Sequence, residues 1–260
     1  MQPLCIVFPC YNEASRLRKE PFLDFLADNP EARFVFVDDG SSDGTKALLE
    51  ELCAASPDGR ASLLSLPRNA GKAEAVRQGM LFALKSCKNA QHLGYMDSDL
   101  ATPLPEIKRL CAVLSQPGCV LVMGSRVVLL GRRIERSCVR HCLGRCFATC
   151  ASIVLDLPVY DTQCGAKLFR RVPGLEDIFE RPFASRWIFD VEMLARIKLR
   201  GGLGSRPFPE GIEEMPLNEW KEVGRSKVRP LDYIRSLAEM LTIWRMLRKA
   251  SEKGRPAHAD

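Results

Sequence analysis

The sequence predicts an α/β protein with a mainly parallel sheet flanked by helices. Three observations lead there: apolar runs of strand length, helical periodicity between them, and turns rich in Asp, Gly and Ser where the runs end. The runs lie at about 4–8, 34–38, 62–66, 93–97 and 120–123, and the helical patterns at about 14–27, 44–55, 71–86 and 105–115. Strand and helix alternating at this spacing build a parallel sheet covered on both faces. Ligands of such sheets bind beyond the carboxyl ends of the strands, so the residues after each run are where chemistry is expected.

The second half is less regular. A helix is expected over about 136–155, a strand over 166–170, a second helix over 187–199 and a short strand near 203–208. Gly201-Gly202-Leu203-Gly204 and the proline-rich stretch to Pro216 read as turn and loop. Pro230 opens a last helix whose apolar positions Tyr233, Ile234, Leu237, Met240, Leu241, Trp244 and Leu247 recur at helical spacing. It either packs on the body or lies on a membrane surface as a basic amphipathic helix. The expected organisation is a main domain over 1–230, then an amphipathic basic helix and tail over 231–260.

Composition narrows the class. With 260 residues, 46% hydrophobic and 27% charged, the chain can bury a full core, and disorder, collagen and coiled coil are disfavoured. No run approaches the ~20 apolar residues of a membrane span. The opening Met1-Gln2-Pro3 leads directly into an apolar run with no basic region before it, so a cytoplasmic address is expected, with peripheral membrane contact as an option. Eleven cysteines, an odd number, suit reduced thiols. Cys138, Cys142, Cys146 and Cys150 climb a helix at i,i+4 spacing rather than converging on one ion, and read as packing residues.

The net charge of +6 is unevenly placed. From Arg126 to Arg145 six arginines (Arg126, Arg132, Arg133, Arg136, Arg140, Arg145) face Glu135 alone, and residues 221–260 hold ten basic against five acidic groups. A solvated face explains such runs in general, but guanidinium forks hold phosphate oxygens bidentately and point toward an anionic partner. Nucleic acid is not expected, because interleaved aromatics and recognition motifs are missing.

Four turns carry the motifs: Pro9-Cys10-Tyr11-Asn12-Glu13, Asp38-Asp39-Gly40-Ser41-Ser42-Asp43-Gly44-Thr45, Asn69-Ala70-Gly71-Lys72 and Asp97-Ser98-Asp99. Carboxylates at strand ends accept hydrogen bonds from base and ribose, and a D-x-D pair offers hard oxygens to Mg²⁺ or Mn²⁺. In order and spacing the four resemble the family 2 glycosyltransferases of the GT-A fold, a Rossmann-like α/β architecture. The resemblance implies that Pro9, Tyr11, Glu13, Asp38, Asp39, Ser41, Asp43, Lys72, Asp97, Ser98 and Asp99 hold a nucleotide-sugar, with the metal on Asp97 and Asp99. Tyr11 is a candidate to stack on the base.

Further motifs narrow the likeness. Asp99-Leu100-Ala101-Thr102-Pro103, Gly124-Ser125-Arg126, Asp161-Thr162-Gln163-Cys164-Gly165-Ala166-Lys167-Leu168-Phe169 and Trp187-Ile188-Phe189-Asp190-Val191-Glu192 resemble dolichyl-phosphate glucosyltransferases. Their mannosyl cousins are similar. The likeness implies a UDP-glucose donor, a polyprenyl phosphate acceptor and inversion at the anomeric carbon.

A phosphate monoester, with its second pKa near ~6, is already an anionic nucleophile at neutral pH, so the demand is for cations on both phosphates rather than for a base. Asp99, Arg126, Asp161 and Asp190 are the catalytic candidates, and Arg126, Arg132 and Arg133 the acceptor-phosphate candidates. Lys167 is either a phosphate ligand or a surface lysine, and Trp187 either a wall of the sugar pocket or a core aromatic. His92 and His141 read as structural. Two other activities stay open: transfer to a hydroxyl of a glycan, protein or small molecule by a soluble enzyme of the same fold, with Asp190 or Asp161 as base, and nucleotide-sugar binding without turnover.

Overall fold

The computed structural model describes residues 2–135, 138–223 and 230–253. The side chains of Arg136, Cys138, Arg140, His141, Tyr233 and Ile234, used in the sequence reading, lie outside the described residues, as does the tail over 254–260. Strands β1 (Leu4–Cys10), β2 (Ala32–Asp38), β3 (Ala61–Ser65), β4 (His92–Met96) and β5 (Leu121–Ser125) alternate with helices α1 (Glu20–Asp28), α2 (Thr45–Ala55), α3 (Lys72–Ser86) and α4 (Glu106–Leu114). There follow β6 (Arg133–Glu135), α5 (Cys138–Leu155), β7 (Ala166–Arg170), α6 (Leu175–Glu180) and α7 (Phe189–Leu199). The chain continues through β8 (Gly202–Leu203), β9 (Arg206–Pro207), β10 (Ile212–Pro216), β11 (Glu219–Lys221) and α8 (Pro230–Lys253).

Seven strands form the main sheet in the order β10-β5-β7-β4-β1-β2-β3. All pairs are parallel except those of β7, which runs antiparallel between β4 and β5 and sets Ala166 opposite Met96. The stretch that precedes β7 is thereby carried to the carboxyl end of β4. β1 and β2 are near-continuous apolar runs because both faces are covered. One face holds an aromatic cluster in which Phe8 meets Phe34 edge-on at 4.9 Å and Phe22 at 5.1 Å. On the other face α3 lies close enough that a Cβ at Gly79 would be 2.3 Å from Val7 Cγ1 and 2.7 Å from Val37 Cγ2.

Several expectations are corrected in detail. The first helix begins only at Glu20, since Asn12 to Lys19 are spent on the turn that follows β1. The strand near 203–208 is instead the small β8–β9 pair outside the main sheet. The stretch read as loop up to Pro216 contains β10, an edge strand beside β5, where prolines are tolerated. The β6–β11 pair and α6 were not foreseen, being three to six residues long. α8 sends Ser236, Met240 and Ile243 into the body beside α5 and α7, while Leu237, Leu241 and Trp244 face outward.

Glycine to alanine inside a helix ordinarily stabilises by up to ~1 kcal/mol. At Gly79 the sign reverses: Gly79→Ala is expected to destabilise by roughly 1–3 kcal/mol through overpacking, read as a lower midpoint in urea with unchanged slope.

Candidate active site

The turns after β1, β2 and β4 converge at the carboxyl end of the sheet, tied together by short polar side chains. Asn12, held at φ 50°, donates its N–H to Ser41 Oγ at 3.1 Å and accepts from the Ser42 N–H at 2.9 Å. Asp43 accepts from the Thr45 N–H at 2.9 Å and from Ala14 at 3.3 Å, and its hydrogen bond with the Thr45 hydroxyl holds the carboxyl below its ordinary range. Ser98 Oγ donates to the Pro9 carbonyl at 3.0 Å. Glu13 is buried against Arg16, with Oε1 and Oε2 2.5 and 2.8 Å from its guanidinium. Asp43 and Ser98 therefore act as ties between turns, as does the Glu13 N–H, which donates to Thr45 Oγ1 at 2.8 Å, while Tyr11 is 38% exposed at the mouth of the site.

The two adjacent aspartates after β2 differ. Asp38 accepts the Ser41 N–H at 3.1 Å and closes its own turn. Asp39 takes three donors from the next turn: Asn69 Nδ2 at 2.9 Å, the Ala70 N–H at 2.8 Å and the Gly71 N–H at 2.9 Å. Burial pushes the Asp39 carboxyl up despite these bonds. Arg186 also reaches this point, its Nη2 lying 3.3 Å from where a Gly71 Cβ would stand. Sequence reasoning missed Arg186. It immediately precedes the Trp187–Glu192 motif, and that adjacency was the available signal.

Asp97 and Asp99 form the centre. Lys72, at the start of α3, places Nζ 2.5 Å from Asp97 Oδ1. Burial works against the Lys72 ammonium, but the charges of Asp97, Asp190 and Asp99 outweigh it and raise its pKa. Asp99 accepts the Ala101 N–H at 3.0 Å, and burial followed by the negative charge of Asp97 pushes its carboxyl up. Two crowded carboxylates, one of them disfavoured as an anion, are a donor set suited to a divalent cation. No group of three or more metal-ligating side chains occurs among the described residues, so a cation on Asp97 and Asp99 would draw its other ligands from phosphate and water. Gly165, on the chain entering β7, approaches so closely that a Cβ there would lie 2.1 Å from Asp97 Oδ2.

Behind this pair lie two buried ion pairs. Asp161 grips Arg126 through Nε at 2.6 Å and Nη2 at 2.8 Å, and also accepts the Arg126 N–H at 3.1 Å. Burial alone would raise the Asp161 carboxyl, but the guanidinium prevails and holds it at about 2. Asp190, on α7, accepts from the Tyr95 hydroxyl at 2.5 Å and pairs with Lys167 Nζ at 2.6 Å. Lys167 is fully buried and also donates to the Cys164 carbonyl, which corrects the surface-lysine alternative. Glu192 points elsewhere, to the Ala184 and Ser185 N–H groups and Arg196. Arg132, half-exposed, ends the loop that follows β5, and Arg133, exposed, opens β6. Trp187 is 40% exposed rather than in the core, and the N–H groups of Arg186, Trp187 and Ile188 all donate to Glu239 of α8. His92 is buried at the opposite end of the sheet, where burial lowers its pKa to about 4. Cys142, Cys146 and Cys150 lie exposed along α5.

Comparison with known proteins decides the family. The model of glycosyl transferase family 2 matches residues 5–172, the segment that carries β1 to β7 and the D-x-D pair. The chain belongs to glycosyl transferase family 2. It is 31% identical over 263 residues to the dolichyl-phosphate beta-glucosyltransferase of Saccharomyces cerevisiae, covering 94% of this chain and 74% of that one. To the enzyme of that name from Homo sapiens it is 29% identical over 241 residues, covering 87% of this chain and 70% of the other. Among solved structures it superposes on glucosyl-3-phosphoglycerate synthase from Mycobacterium tuberculosis in complex with Mn²⁺, UDP and phosphoglyceric acid, with TM-score 0.63 and 19% identity, covering 99% of this chain and 80% of that one. That likeness shows the fold, GT-A. Among the described residues no helix of this family 2 member is long and apolar enough to cross a membrane.

The Arg126–Asp161 pair sets a pH dependence. The carboxyl is depressed in the fold, so its contribution is full above the unfolded pKa of ~3.9 and fades as pH falls toward about 2. Asp161→Asn is expected to destabilise by roughly 2 kcal/mol at pH 7. In denaturant titrations the gap between variant and wild type should narrow between about pH 4 and pH 2.

Proposed function

We propose that this family 2 member transfers glucose from UDP-glucose to the phosphate of a polyprenyl lipid of the dolichyl type, as a peripheral protein at the cytoplasmic face of a membrane. The observation that carries this reading is the state of the two carboxylates once open as general bases. Asp161 is locked to Arg126 and held at about 2, and Asp190 is buried between Tyr95 and Lys167. A hydroxyl acceptor needs a base with a pKa near the working pH. A lipid phosphate, ionised before it arrives, does not. The names of the relatives at about 30% identity, dolichyl-phosphate beta-glucosyltransferases, support the same sugar and acceptor class.

The residues then divide by charge. Tyr11 and Asp38 face the uridine, while Lys72 and Arg186 meet the diphosphate beside Asp97 and Asp99. Mg²⁺ or Mn²⁺, when bound by that pair, neutralises the leaving diphosphate. Arg132 and Arg133 receive the acceptor phosphate together with Arg126, whose Nη1 takes no part in the fork to Asp161. An acceptor phosphate oxygen attacks the anomeric carbon as the bond from that carbon to the UDP oxygen breaks, and UDP leaves with the electron pair. The configuration inverts. Preorganised cations lower the repulsion of two approaching anions without rearranging at the moment of reaction.

Labelled sugar offered as UDP-glucose with Mg²⁺ or Mn²⁺ should appear in organic-extractable polyprenyl phosphate, with GDP-mannose giving little. If neither donor labels the lipid while UDP still binds, the acceptor assignment falls; label in a hydroxyl acceptor, lost on Asp190→Asn, would replace it. Asp99→Ala should abolish the metal-dependent part of UDP binding in a calorimetric titration. Gly165→Ala, by displacing Asp97, should weaken it by about 10–100-fold, as losing a supporting contact around a metal ligand does. Unchanged titrations would remove the metal from this pair.

A further inference from the structure

The loop that leaves β5 beside the site carries Val127-Val128-Leu129-Leu130, four apolar residues in succession. Val128 is 59% exposed, Leu129 46%, and Leu130 fully exposed. Proteins that remain in water seldom display such a run, because each side chain forgoes burial. Nor is the loop loosely attached. Arg126 roots it through the fork to Asp161, the Arg132 N–H donates to the Leu129 carbonyl at 3.1 Å, and Arg133 enters the β6–β11 pair with its N–H on the Asn218 carbonyl at 2.8 Å. Gly131, at φ 80°, makes the turn behind the tip. The fold holds both ends of the loop and points its apolar crest outward.

We propose that residues 127–130 insert into the surface of an anionic lipid bilayer and dock the active site on it. Charge chooses the occupant. Arg132 and Arg133 stand directly behind the crest, within a stretch from Arg126 to Arg145 that holds six arginines and one glutamate. Basic groups beside an apolar wedge match the negative potential of an anionic leaflet. A second copy of the chain would set the same basic loop against itself in a two-fold contact, like charge on like charge. Distance fits as well. Leu130 is four positions on from Arg126, at most about 14 Å when extended, so a phosphate at headgroup level reaches the arginines while its isoprenoid chain stays in the bilayer. The purpose given to the surface rests on the lipid-phosphate reading above; the surface itself does not.

The test replaces Val128, Leu129 and Leu130 by serine, substitutions on exposed positions outside the catalytic machinery. Wild type and variant are sedimented with vesicles of phosphatidylcholine containing about 30% phosphatidylglycerol. Both are then assayed for transfer to a long-chain polyprenyl phosphate in those vesicles and to a short, water-soluble citronellyl phosphate. The variant should lose about tenfold or more in vesicle binding and in transfer to the vesicle acceptor. Transfer to the short acceptor should stay within about twofold, since the cation site is intact. Unchanged sedimentation overturns the proposal, as does a variant that only converts a dimer to a monomer on gel filtration. If the wild type needs the crest to sediment yet glycosylates neither phosphate, the docking surface stands and the lipid-phosphate reading fails.

Discussion

The site depends on the concentration of negative charge around Asp97, where the chain leaving β4 is bonded to the chain entering β7. Gly165 makes room for that carboxylate, Lys72 neutralises one of its oxygens, and the ion pairs Lys167–Asp190 and Arg126–Asp161 surround it with alternating signs. Buried ions tolerate such density only when each is paired and hydrogen-bonded. The antiparallel insertion of β7 serves this end. It delivers Gly165 against Asp97, Asp161 to Arg126 and Lys167 to Asp190 from a stretch over sixty residues away from Asp97 in the chain.

This arrangement separates carboxylates that can respond to a ligand from those that hold the frame. Asp99, pushed up by burial and by Asp97, has something to gain from a cation. Asp161, Asp190, Asp39 and Asp43 are already satisfied by arginine, lysine, tyrosine or backbone N–H groups. The distinction makes chemical sense for the proposed reaction, which joins two anions. Fixed positive charge must be present before either substrate arrives, and the frame carboxylates keep those cations in place.

Much of this was legible beforehand, for physical reasons. The parallel strands are apolar on both faces, and the turn motifs recur at each carboxyl end, so fold class and the positions of Asp38, Asp97 and Asp99 follow from local pattern. β10 was hidden because an edge strand tolerates prolines and alternation over five residues is weak. The Arg126–Asp161 fork joins residues 35 apart, and nothing local in either segment announces it; both had been assigned separate tasks, phosphate ligand and base. Lys167 stood open between phosphate ligand and surface lysine because its neighbours Asp190 and Tyr95 come from α7 and β4. Pairings across the sheet are what sequence periodicity leaves open.

The last consequence concerns the order of assembly. Glu239 of α8 receives the N–H groups of Arg186, Trp187 and Ile188 just before α7, the helix that carries Asp190. A chain emerging from the ribosome can pair β1 to β4 early, with their turns in place, whereas β5 waits for its neighbours β7 and β10. Yet the segment that brings Arg186 to the mouth of the site keeps three donors unanswered until α8 is synthesised and docks. The turns after β1 and β2 can therefore be in place well before the wall that carries Arg186 is fastened, and the site becomes whole only once α8 has docked.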